Sequence, residues 1–230
     1  MQTKHFPVAT IFLIVLNGVI FGIGLLSGSQ TQIIQNFGFI PNHIFNPDVG
    51  GRNNKAEQNS YTSSLQFSKP QSSFSSYSLP DSLTRLFTSM FIHANIAHIA
   101  FNLLALAYLG VYAERAIGVP RYILVYMTSG ILAALFHGVI ASYILHNGNV
   151  LLIGASGAIS GVLGIAAVSG NTRAYYWLML QIVFAVVGSI SALPIAFTAH
   201  VGGFIAGVGM TKVLISLEQS KRKSRYFLKP

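Results

Sequence analysis

Two side chains in this sequence are of the types that can open a peptide bond together. Ser156 stands among glycines in Gly154-Ala155-Ser156-Gly157-Ala158-Ile159-Ser160-Gly161-Val162-Leu163-Gly164. His200 stands 44 positions later in Ala199-His200-Val201-Gly202-Gly203-Phe204-Ile205-Ala206-Gly207. A hydroxyl is a weak nucleophile until a neighbouring base takes its proton, and imidazole is a suitable base. Acyl transfer also needs donors for the tetrahedral oxyanion. The Ser156 backbone N–H, at a helix start, is one, and His98 and Asn102, four apart on one helical face, can supply two more. No acidic residue sits where it could orient His200, so the reading is a Ser–His dyad. Each residue alone has a plainer reading. A serine in an apolar helix commonly bonds its own backbone, and His98 with Asn102 can be interhelical glue. The small-residue spacing shifts the balance. Gly157, Gly161 and Gly164 line one segment, Ala199, Gly203 and Gly207 the other, and such faces let helix backbones approach closely.

The elements that must position these groups are membrane helices. The chain has 230 residues, 52% hydrophobic and 8% charged, where a soluble domain carries about 25% charged residues. Apolar runs near membrane length recur and are continuous rather than alternating, which implies helices and not a barrel. The expected fold is an all-α bundle of six transmembrane helices in one membrane domain, 1–230. The expected spans are 6–26, 95–113, 122–145, 150–170, 175–190 and 194–217. Pro7 falls in the first turn of the first span, where its missing N–H is harmless. That run exceeds the apolar core of a cleaved secretory signal, so an uncleaved span is expected. A polar first loop, 27–81, has a composition that cannot offset ordering entropy in its middle, and its scattered aromatics suit the bilayer surface. Leu83 to His93, with Arg85 inside it, reads as interfacial. A basic tail, 218–230, closes the chain.

Charge placement gives orientation. Lys4, Arg115, Arg121, Arg173 and the tail residues Lys221, Arg222, Lys223, Arg225 and Lys229 flank one side. Arg52, Lys55, Lys69 and Arg85 are on the other. The positive side is cytoplasmic, so both termini lie there. The second, fourth and sixth spans then enter from the outer face with Ser156 and His200 about six residues in, a shared depth of about 10 Å. The net charge of +9 thus belongs to span ends and lipid headgroups, and no basic surface interleaved with aromatics suggests nucleic acid. The chain has no cysteine, which excludes disulfides and thiol nucleophiles. No cofactor is indicated. A metalloprotease is disfavoured, since His-Glu-x-x-His is absent and His93 and His98, five apart, fall on different helix faces.

These pieces resemble the rhomboid intramembrane serine proteases over nearly the whole chain. The resemblance is carried by Gly154-x-Ser156-Gly157, Ala199-His200-x-x-Gly203-x-x-x-Gly207 and His98-x-x-x-Asn102. His93, and Gly110 with Glu114-Arg115 and Gly118, add to it. It implies Ser156 as nucleophile, His200 as base, and His98 and Asn102 at the oxyanion. It also implies a site open to the extracytoplasmic side, with substrates entering between the second and fifth spans. Two departures stand out. Thr84 precedes Arg85 where rhomboids often carry Trp, and Ser160 stands where many place an aromatic against the base, so that stacking role does not carry over. The expected activity is hydrolysis of single-span membrane proteins within the bilayer, in a bacterial cytoplasmic membrane. A non-catalytic rhomboid-like binder of transmembrane clients is the alternative, and a transporter fits less well because the polar groups crowd into one half of the membrane.

Overall fold

The computed structural model describes residues 6–47, 79–190 and 196–227. Among these the secondary structure is helical, apart from one isolated antiparallel bridge between Phe39 and Leu152. Helix α1 (Val8–Leu26) leads to α2 (Gln30–Phe37) and one turn, α3 (Asn42–Phe45). Helix α4 (Leu79–Thr88) continues as a 3-10 turn, Ser89–Phe91. Then α5 (Ile96–Ala105) passes through a π turn (Leu106–Gly110) into α6 (Val111–Ile117). Four more follow: α7 (Val119–Tyr143), α8 (Ser156–Val168), α9 (Arg173–Ile190) and α10 (Phe197–Phe227). Among the described residues, Val8–Leu26, Ile96–Ile117, Val119–Tyr143 and Phe197–Lys221 are long and apolar enough to cross a membrane.

Helix α8 is the centre of the bundle. Every residue from Gly157 to Ala166 is buried, and the helix packs most extensively on α10 and α7. Small residues make this possible. A β-carbon at Gly203 would overlap the Gly157 carbonyl, one at Gly207 the Gly161 carbonyl, and one at Gly164 would lie 2.6 Å from Val208 N. The α8 and α10 backbones therefore touch directly, the close approach that small-residue faces permit.

Helices α6 and α7 meet at Gly118, whose φ of 81° suits glycine and ends α6. Pro120 then falls in the first turn of α7, a favoured position. Gly110 in the π turn lets the Tyr122 hydroxyl come in, 2.9 Å from where a β-carbon would be. Helix α1 has no capping side chain of its own. Buried Glu114 on α6 caps it instead, accepting from Ala9 N at 3.1 Å, Thr10 N at 2.7 Å and Thr10 Oγ1 at 2.7 Å. A carboxylate there also meets the positive end of the helix dipole.

Several expectations change. The fourth apolar segment is helical only from Ser156, for 13 residues, not from 150. Gly154, at φ 115°, holds the preceding Val150–Ile153 stretch out of the helix. Ser156 is thus the first helical residue, as its reading at a helix start expects, and not about six residues into a helix that begins at 150. The last helix begins at Phe197 and runs on to Phe227, so the described part of the tail is helix, and Glu218 pairs with Arg121 at 2.8 Å. The described ends of the 27–81 loop carry short helices, and Phe39, one of its aromatics, is fully buried. The middle of that loop, 48–78, the span start at Pro194, and Lys229 lie outside the described residues.

Candidate active site

The loop that delivers Ser156 is held from three sides. Phe39 N donates to Leu152 O at 3.0 Å, and Leu152 N returns a bond to Phe39 O at 2.7 Å. Asn42 N donates to Gly148 O at 2.9 Å, and Gly154 N to Ser89 O at 2.9 Å. Arg85 is the anchor of this strap. It is buried, and its Nη1 donates to Gln35 O at 2.8 Å and Gly38 O at 3.0 Å. A guanidinium can serve several carbonyls at once. Here it fixes the first loop without the aromatic neighbour that Thr84 replaces.

At the end of that loop, Ser156 Oγ lies 2.8 Å from His200 Nε2. Ser156 is half-buried and His200 buried. The pair sits where α8 and α10 touch, one turn from the Gly157–Gly203 contact. His200 Nδ1 has no hydrogen-bond partner among the described residues, so no carboxylate orients the ring. Ser160 does not reach toward it either. Its Oγ donates back to Ser156 O at 2.8 Å, the backbone bond typical of serine inside a helix.

His98 and Asn102 lie on α5, close by. A β-carbon built on Gly154 would sit 2.7 Å from His98 Nε2 and 3.7 Å from Ser156 Oγ, so both groups border one small volume. Asn95 caps α5, accepting from His98 N at 2.9 Å. Ala94 N donates to His98 Nδ1 at 3.4 Å, which leaves the ring proton on Nε2, the nitrogen facing Gly154. Asn102 is buried and gives one amide hydrogen to His98 O at 3.0 Å; an amide NH2 has a second to offer.

His93 corrects a reading of spacing. It precedes α5 and is not on a helix, so the two-face argument fails. Its ring packs edge-on against His98 at 5.0 Å between centroids. Burial, then the adjacent His98 ring, pushes the His93 imidazole down to about 3, so it is neutral at ordinary pH. Among the described residues no group of three or more His, Cys, Asp or Glu could hold a metal ion. His137 on α7 also belongs to this region: its Nδ1 lies 2.6 Å from Thr198 Oγ1, on the first turn of α10. Nothing in the local sequence around His137 points to this partner, which lies 61 positions later.

Comparison with known proteins points to one family. The chain is 33% identical to RHOMBOID-like protein 1 of Arabidopsis thaliana over 131 residues, 54% of this chain and 32% of that protein. It is 32% identical to rhomboid protease GluP of Bacillus subtilis over 130 residues, 54% of this chain and 24% of that protein. A shorter stretch of 90 residues is 41% identical to rhomboid protease AarA of Providencia stuartii, 35% of this chain and 31% of that protein. The chain thus spans only a quarter to a third of the length of these curated relatives. The rhomboid domain itself matches residues 80–217, well over half of the chain and all of the elements from α4 to the membrane part of α10. With its apolar helices and this match, the protein is an integral membrane protein and belongs to the rhomboid family.

Proposed function

We propose that the protein is an intramembrane serine endopeptidase that hydrolyses peptide bonds in or near the transmembrane helices of single-span proteins. The observation that carries this reading is the 2.8 Å contact between Ser156 Oγ and His200 Nε2 at a crossing with no room for adjustment. His200 Nε2 takes the Ser156 proton as Oγ attacks the substrate carbonyl. The oxyanion is met by Ser156 N–H, free of intrahelical partners at the start of α8, by His98 Nε2–H and by Asn102 Nδ2–H. The imidazolium returns its proton to the leaving amine. Water, deprotonated by His200, then cleaves the acyl ester and regenerates the hydroxyl.

The proposed topology has six membrane segments in one domain, 1–230, with α8 and α9 as the fourth and fifth. The polar 27–81 stretch is extracytoplasmic, and the termini, including the 218–230 tail, are cytoplasmic. Basic residues at the span ends support this orientation. The proposed location is a bacterial inner membrane, because the six-segment plan resembles the bacterial form of the family. Metal and cofactor play no part in the proposed reaction. The test is labelling of Ser156 by a fluorophosphonate probe in detergent or liposomes, beside cleavage of a reconstituted single-span substrate. Labelling and cleavage should both vanish in Ser156→Ala, with folding intact. A wild-type protein that binds the substrate but neither labels nor cleaves is the non-catalytic client binder.

A further inference from the structure

Helix α7 touches α10 on both sides of His200. On the N-terminal side, buried His137 has its Nδ1 2.6 Å from Thr198 Oγ1, two residues before His200. On the C-terminal side, Phe136 lies against Gly202, where a β-carbon would come within 2.8 Å of the Phe136 Cβ. One contact is a hydrogen bond and the other a wedge of hydrocarbon. Packing alone explains the second. It does not explain the first, because an imidazole within a membrane bundle is a costly way to fill apolar space.

His200 has few restraints of its own. Among the described residues its Nδ1 has no partner, and Ser160 is turned to its own helix. Among the described residues the ring makes one hydrogen bond, to the nucleophile it must serve. Its direction therefore follows from where the first turn of α10 is held. Helix ends are where backbone bonds are missing and fraying begins.

We propose that His137 is a positioning residue for the Ser156–His200 pair. Its hydrogen bond to Thr198 fixes the first turn of α10, and with it the depth and angle at which His200 meets Ser156. This role rests on reading Ser156 and His200 as a catalytic dyad. Either ring tautomer serves, since Nδ1–H can donate to the hydroxyl or Nδ1 can accept from it.

The experiment compares His137→Leu, His137→Asn, Thr198→Val, Thr198→Ser and the Leu/Val double variant in detergent. It reads the rate of Ser156 labelling by a fluorophosphonate, kcat and KM on a reconstituted single-span substrate, and the thermal midpoint. Asparagine carries an amide atom where Nδ1 stands. His137→Leu and Thr198→Val should each lower labelling rate and kcat about tenfold, with KM unchanged, the scale of one lost hydrogen bond. The double variant should be no worse than either single change, because both remove the same interaction. His137→Asn and Thr198→Ser should stay within about twofold of wild type. Should His137→Leu not fold, Thr198→Val breaks the same bond with the side-chain shape kept. Wild-type labelling rates in folded Leu and Val variants, or multiplied losses in the double variant, overturn the proposal while leaving the dyad standing. Absence of labelling in the wild-type protein removes the dyad and this role together.

Discussion

Gly203 on α10 faces the Gly157 carbonyl on α8 with no space for a β-carbon between them. Three residues before Gly203, His200 reaches Ser156, so the backbone contact and the side-chain contact are set by one distance. Gly203→Ala must push the helices apart, and overpacking of this kind costs about 1–3 kcal/mol. Because a 1 Å misplacement can cost about 100-fold in rate, we expect Ser156 labelling to fall by about that factor. Gly209→Ala, on the same helix with nothing within 4 Å, should leave it unchanged.

Gly154→Ala addresses the oxyanion side. The new methyl would sit 2.7 Å from His98 Nε2, on a backbone with φ 115°. Strain of this type costs about 1–3 kcal/mol, and displacing one oxyanion donor lowers turnover about 100–1000-fold. Substrate cleavage should drop far more than the thermal midpoint. Equal losses of folded protein and activity would make Gly154 structural only.

Glu114 predicts the opposite split. Its carboxylate satisfies three donors on α1 and touches no reacting group. Glu114→Ala leaves those donors without an acceptor, a loss of about 3 kcal/mol. Glu114→Gln, which keeps one oxygen, should lose less. Thermal unfolding in detergent reads both, and the labelling rate per folded molecule should be near wild type.

The first-loop strap can be trapped chemically, because the chain has no cysteine to interfere. Phe39 and Leu152 exchange both backbone bonds, and such opposed residues have α-carbons about 5.5 Å apart, a separation that a disulfide spans. Phe39→Cys with Leu152→Cys should oxidise readily. Adding Arg85→Ala, which frees the Gln35 and Gly38 carbonyls, should slow that crosslink. An unchanged rate would mean that Arg85 does not hold the strap.

Acid should loosen the candidate site through His93. Its folded value, about 3, lies below the ordinary 6.5, so the unfolded chain takes up a proton that the folded one refuses. The stability His93 contributes is full above pH 6.5 and is lost as pH falls from there toward 3. His93→Asn should flatten the thermal midpoint against pH over that window; an unaltered profile would assign the acid response elsewhere.

Continuous apolar runs made the membrane class and the helices Val8–Leu26 and Val119–Tyr143 legible. The α7 boundary moved because Pro120 reads as a break yet sits in the first turn. Hydropathy cannot separate an extended apolar stretch from a helix, so Val150–Ile153 was counted with the helix it precedes. The burial of Arg85 left no local trace, since its acceptors come from about fifty residues earlier in the chain. Glu114 was visible as part of a motif, but nothing nearby points to Ala9 and Thr10 as its partners. The spacing of His98 and Asn102 did put them on one face, whereas His93 could be placed only once the start of α5 at Ile96 was known.

The shortness of α8 has a consequence for solvent. Thirteen residues make a rod of about 20 Å, some 10 Å less than the hydrocarbon layer. Every residue from Gly157 to Ala166 is buried, so water could reach a rod that short only at its tip. The proposed hydrolysis consumes a water molecule with every bond it cuts. A recessed tip would admit that moisture without parting the surrounding helices from their lipid.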